Sequence, residues 1–147
     1  RQSKSERIQF WMLQTDTWHL ADRIYTSLSG GERQRVQLAR VLLQISSATS
    51  PALLLLDEPT SAQDLGQQHR ILQLLRQLCA EKNIIVVTIL HDLNLASRYS
   101  DKICLLHQGK LFAAGPPADI LTPSKVNDVW GYEPEKLTNM DGATILI

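Results

Sequence analysis

Two apolar runs separated by one amphipathic stretch constrain the fold most. Leu53 to Glu58 is a leucine-rich run that closes on two adjacent carboxylates, Asp57 and Glu58, and Ile84 to Leu90 is a second run, β-branched and apolar on both faces. Between them, after the turn Pro59-Thr60-Ser61, Asp64 suits an N-cap for a helix from about Leu65 to Ala80. Strands that are apolar on both faces are typical of parallel sheets covered by helices, so strand, helix, strand in this order predicts an α/β architecture. Such sheets hold ligands at the carboxyl ends of their strands, where Asp57 and Glu58 are delivered and where a carboxylate can meet Mg²⁺.

A second segment points to phosphate. Leu28-Ser29-Gly30-Gly31-Glu32-Arg33-Gln34-Arg35 sets a hydroxyl and two glycines ahead of a helix expected to continue to about Ile45. A helix N-terminus offers unpaired N–H groups and the positive end of the helix dipole, both of which favour an anion. Upstream, Ile8, Trp11 and Met12 recur at helical spacing over Glu6 to Leu13, and with Trp18 they are expected to form the core of a small helical unit. Downstream, Ser46 to Pro51 reads as a loop, and His91-Asp92 opens a short helix through Leu93, Leu95 and Ala96. Lys102 to His107, the Gln108-Gly109 turn and Lys110 to Ala114 form a hairpin; Pro116-Pro117 opens a helix to Leu121, and Val126 to Trp130 is helical.

Composition narrows the class without naming a partner. With 147 residues, 44% of them apolar and 20% charged, the chain suffices for one domain with a core. Lys plus Arg and Asp plus Glu number 15 each, so no net field draws the molecule to nucleic acid or an anionic membrane. Arg33, Arg35 and Arg40 lack interleaved aromatic residues, and nucleic-acid binding is discounted. No apolar run is long enough to span a bilayer, and Arg1 to Arg7 lack the apolar core of a secretory signal; with no opening methionine, the chain is expected to begin inside a longer protein. Cys79 and Cys104 have no CxxC spacing and read as small core residues of a reducing compartment, and His19, His69 and His107 as surface residues.

In this order and at these separations the motifs resemble the ATP-binding subunits of ABC transporters. Leu28 to Arg35 matches the signature motif of that family, Leu53 to Glu58 its Walker B strand, Ser61 to Asp64 its D-loop and His91 its switch histidine. No G-x-x-x-x-G-K-[ST] occurs and the glutamine loop is missing, so the likeness is to the C-terminal part of a P-loop NTPase-like ABC ATPase cassette. It divides into a helical signature region, about residues 1–45, and a part with Walker B, D-loop, switch histidine and C-terminal segment, about 51–147. The resemblance implies that Asp57 holds Mg²⁺ through a water and that Glu58 orients or deprotonates the water attacking the γ-phosphate of ATP. It implies that His91 contacts the γ-phosphate, that Ser29, Gly30, Gly31 and Glu32 reach the ATP of the other subunit in a head-to-tail homodimer, and that Asp64 joins the two sites. Gln63 departs from the pattern, which usually has an apolar residue there, often leucine; the departure bears on interface packing.

Within the family, His91 to Ala96, Tyr99 to Lys102 and Leu105 to Lys110 resemble importers of iron chelates, haem and cobalamin, while Leu20 to Arg23 and Gln67-Gln68-His69 lean toward the haem group. The resemblance implies a peripheral subunit on the cytoplasmic face of the inner membrane, working with two transmembrane permease subunits and, indirectly, a periplasmic binding protein. Cobalamin or ferric siderophore stands as the alternative cargo. A soluble ABC ATPase of repair or translation and a non-catalytic binding module are the competing classes. Without the phosphate loop, the 147 residues alone are expected to hydrolyse no ATP and to leave sheet edges exposed. Taken singly, the Ser-Gly-Gly segment is also a turn and cap, Asp57-Glu58 a solvated strand end and His91 a helix-start residue; their joint order outweighs those readings.

Overall fold

The computed structural model describes residues 3–48, 51–81, 84–140, 142 and 144–147, so Thr49 and Ser50 of the expected loop, and Arg1 and Gln2, lie outside the described residues. The chain divides into two compact units, residues 1–89 and 90–147.

In the first unit, α1 (Lys4–Gln14) begins at Ser3, whose hydroxyl accepts the Glu6 N–H while the Glu6 carboxylate accepts the Ser3 N–H, a reciprocal capping box. Short 3₁₀ turns at Trp18–Leu20 and Tyr25–Ser27 lead into α2 (Gly30–Ile45). The two helices pack together: Trp11 is buried, its indole N–H donates to Ser46 Oγ at 3.2 Å, and Leu38, Ala39 and Leu42 are the buried stripe of α2. Met12 is half-buried, but Trp18 is exposed and does not join this core, because the turn that carries it buries Leu20 instead.

Strand β1 (Ala52–Asp57) pairs in parallel with β2 (Ile84–Ile89), Leu54 opposite Val86 and Asp57 opposite Ile89. The crossover between them is α3 (Leu65–Glu81), with Ile71, Leu72, Leu74, Leu75 and Leu78 buried. The βαβ unit expected from the two apolar runs is therefore present. Asp16, itself in a left-handed conformation at φ 54°, accepts from Gln67 Nε2 at 2.6 Å and lies 3.4 Å from Arg70 Nη1, fastening the turn after α1 to α3.

In the second unit, α4 (Leu93–Tyr99) is capped by Asp92, whose carboxylate accepts the Asn94 and Leu95 N–H groups at 2.8 and 2.9 Å. Strands β3 (Ile103–His107) and β4 (Lys110–Gly115) form the expected hairpin, and its two-residue turn has Gln108 at φ 50° and Gly109 at φ 72°, the doubly positive pattern of a type I′ turn. Helices α5 (Pro117–Ile120) and α6 (Pro123–Trp130) follow, then an antiparallel pair, β5 (Lys136–Thr138) and β6 (Thr144–Leu146), that the sequence pattern did not announce. Leu121, Val126 and Leu146 are the buried cluster here, with Leu93 and Ile103 against it. Cys79 is half-buried and Cys104 exposed, so the expectation of a core role for Cys104 is corrected: its face of β3 has no covering layer among the described residues. His19 is exposed, while His69 and His107 are half-buried.

Candidate functional site

The helix tip expected to bind phosphate is built by a second capping box. Ser29 is the N-cap of α2: its hydroxyl accepts the Glu32 N–H at 3.3 Å, and the Glu32 carboxylate accepts the Ser29 N–H at 2.7 Å. These bonds to Ser29, with Arg23 and Arg35 nearby, hold the Glu32 carboxyl below the ordinary carboxylate range. The box uses the N–H groups of Ser29 and Glu32, which leaves those of Gly30 and Gly31 as first-turn donors outside it. The glycines are thus the first two helical residues, not a loop before the helix. They differ in their surroundings: a Cβ on Gly30 would meet nothing within 4 Å, whereas one on Gly31 would lie 2.5 Å from the Ala62 carbonyl oxygen. Gly31 is required by the close approach of the chain's own backbone; Gly30 faces open space.

Asp57 ends β1 at its carboxyl edge and is exposed; Glu58 follows, half-buried. Glu58 has φ 46°, a left-handed conformation uncommon for a residue with a side chain. Its carbonyl oxygen accepts from Gln34 Nε2 of α2 at 2.8 Å and from the Ser61 amide and hydroxyl at 3.2 and 3.1 Å. Asp64 is exposed and caps α3, its Oδ1 accepting the Gln67 N–H at 2.9 Å.

Between these pieces sits Gln63, 8% exposed. Its Nε2 donates to the Gly31 carbonyl at 3.0 Å and to Gln34 Oε1 at 2.9 Å, and its Oε1 accepts from Arg35 Nη1 at 2.6 Å. The amide orientation is unambiguous, since the donor end faces two acceptors and the acceptor end faces a guanidinium. Nearby, Gln68 Nε2 donates to the Gln63 carbonyl at 3.1 Å. The polar residue that breaks the D-loop pattern is thus satisfied inside its own chain. Sequence reasoning did not find Gln34 or Arg35 as its partners; the available signal was a glutamine at a position expected to be apolar, since a buried amide needs partners.

A cavity of about 140 Å³ lies beside this corner, lined by Gln34, Leu38, Val41, Leu56, Asp57 and Ile71 among others. Its largely aliphatic walls do not suit a polyphosphate; the donors that do are at the α2 tip. Among the described residues no three metal-ligating side chains cluster; a cation beside Asp57 would take its oxygens from phosphate and water, with the Asp57 carboxylate behind one of those waters, a donor set that fits Mg²⁺. His91 belongs to the second unit, two residues past the end of β2 and directly before the Asp92 cap, and it is exposed. Ser29 to Glu32, Asp57, Glu58 and Asp64 are gathered in the first unit.

Residues 1–61 match the family model of the ABC transporter. The whole chain superposes on 59% of a chain of a metal-chelate type ABC transporter in an inward-facing conformation, with a TM-score of 0.75 and 27% identity. The fold is also that of MJ1267, an ATP-binding cassette of an ABC transporter, in its ADP conformation, with a TM-score of 0.68 over 88% of this chain and 51% of that one at 24% identity. Over most of its length the chain is thus similar to part of the ATP-binding proteins of ABC transporters.

Among curated proteins it is similar to the hemin import ATP-binding protein HmuV of Vibrio cholerae, at 53% identity over 129 residues that cover 87% of this chain and 50% of that protein. HmuV of Shewanella denitrificans is 48% identical over 128 residues, again 87% of this chain and 50% of the relative. The chain spans about half the length of the curated relatives it matches.

Proposed function

We propose that these residues belong to the ATP-hydrolysing subunit of an importer of haem. The reading rests on one observation, 53% identity to a hemin import ATP-binding protein across 87% of the chain. Cobalamin and ferric siderophores remain the alternative cargoes.

In this reading residues 1–45 are the helical signature region and 51–147 carry Walker B, the D-loop, the switch histidine and the C-terminal segment. The carboxylate of Glu58 orients the attacking water and takes its proton, the positioning role on which phosphoryl transfer depends. Asp57 holds Mg²⁺ through a water; the cation supplies charge neutralisation at the phosphates. His91 donates a hydrogen bond to the γ-phosphate, which a neutral imidazole is able to do. Ser29 and the free N–H groups of Gly30 and Gly31 bind the ATP held by the second copy in a homodimer, with Glu32 closing the helix tip behind them, and Asp64 links the two sites. No helix among the described residues is long and apolar enough to cross a membrane; in this reading the subunit sits peripherally on the cytoplasmic face of the inner membrane. Two permease subunits carry the ligand across, and a periplasmic binding protein delivers it. The 147 residues alone, which contain no lysine-bearing phosphate loop, turn over no ATP.

The deciding experiment is Glu58→Gln in the full-length subunit with its membrane partners. Turnover should fall by about a hundredfold or more with ATP binding kept, since the change removes the proton acceptor and little else. Hydrolysis at the parental rate would refute the role of Glu58, and uptake assays with haem, cobalamin and ferric siderophore identify the cargo.

A further inference from the structure

Glu58 has a backbone that a glutamate adopts only under constraint. At φ 46° it lies in the left-handed region, a strained conformation for a residue with a side chain that persists only where the surroundings over-determine it. Two of the three donors on its carbonyl come from Ser61 and belong to the turn itself. The third, Gln34 Nε2, comes from another element 24 residues away and makes the shortest of the three bonds at 2.8 Å. A carbonyl has two lone pairs, so three donors saturate it and set the plane of the Glu58–Pro59 peptide. Gln34 is itself oriented, because its Oε1 accepts from Gln63 Nε2, and Gln63 is oriented by Arg35 and the Gly31 carbonyl.

Resting on the role proposed for Glu58, we infer that Gln34 is a positioning residue for that carboxylate and that Gln63 acts behind it in series. The chain of bonds runs from Arg35 and Gly31 through Gln63 and Gln34 to the Glu58 carbonyl. One end is the tip of α2 and the other is the acidic turn, so the side chain of Glu58 leaves a backbone whose direction α2 dictates. A leucine at position 63 would leave the Gln34 amide free to rotate and the half-buried Arg35 guanidinium without that acceptor.

The test uses steady-state ATP turnover by the full-length subunit with its membrane partners. Gln34→Met keeps the length of the side chain, adds no charge and deletes the donor. It should lower kcat about tenfold or more while KM for ATP stays within about twofold, because misdirection of the carboxylate affects chemistry and not nucleotide affinity. Gln63→Leu should lower kcat about threefold, and the double variant should be no slower than Gln34→Met, as members of one series are not additive. A kcat for Gln34→Met within about twofold of the parent overturns the inference, and so does a rise in KM that matches the fall in kcat. Should Gln34→Met fail to fold, Gln63→Leu decides, and parental kcat there overturns the inference. Glu58→Gln is run alongside: if it retains turnover, the function proposed for Glu58 fails, whereas a dead Glu58→Gln beside an unaffected Gln34→Met sinks only the positioning role.

Discussion

The two faces of the β1–β2 pair are nearly alike in sequence and opposite in setting. On one, Leu54 is 4% exposed and Ile84 is buried with it; on the other, Leu53, Leu55, Ile85, Val87 and Ile89 are all more than half exposed, Leu55 at 67%. Helix α3 packs on this pair and buries five of its own aliphatic residues. Apolar character in a strand therefore records that a face is built to be covered, while burial requires the covering element. The bare face also leads to chemistry: Leu53, Leu55 and Asp57 form one period-2 row, so the carboxylate expected to meet the cation stands at the end of it. Glu58 departs from that row through its left-handed backbone and is tied to α2 instead.

Three measurements would break or sharpen this contrast. Leu54→Ala should destabilise the chain by about 2–5 kcal/mol in denaturant unfolding, the cost of a cavity in a packed face, while Leu55→Ala should cost under about 0.5 kcal/mol. Equal losses at the two positions would mean that the bare face is covered in solution. Gly31→Ala drives a methyl against the Ala62 carbonyl oxygen on the well-packed side and should cost about 1–3 kcal/mol, whereas Gly30→Ala, facing open space, should leave stability almost unchanged apart from helix propensity. The smallest effect is electrostatic. The carboxyl of Glu32 is held below its ordinary value of 4.5, so its capping contribution is fully present above that pH and is lost as the pH falls through the lower folded value. Unfolding midpoints of the parent and Glu32→Gln should therefore differ slightly at pH 7 and converge in acid; a gap that widened in acid would contradict the capping box.

Much of the frame was legible because it depends on periodicity and punctuation. The leucine run, the β-branched run and the amphipathic stretch between them gave β1, β2 and α3, and the serine ahead of two glycines marked the start of α2. The Gln108-Gly109 turn was similarly plain. What escaped depends on partners distant in the chain. Strands β5 and β6 have three residues each, too few to show alternation, and exist by pairing with one another. The exposure of Trp18 and Cys104 depends on which neighbours reach them, which composition does not encode. Gln63 stood out as an anomaly, but its partners Gln34 and Arg35 lie 29 and 28 residues away, and no local pattern ties them together. Such amide networks are written in geometry alone.

Asn94 behaves as though it were a residue of a neighbouring strand. Its Nδ2 donates to the Leu146 carbonyl at 3.1 Å and its Oδ1 accepts the Leu146 N–H at 2.8 Å, while Ile147 exchanges both backbone bonds with Glu135. The segment just after His91 is thus clasped by residues more than fifty positions later. A polypeptide shortened before Leu146 would release that clasp, so the far tail governs how firmly the helix that follows the histidine is seated.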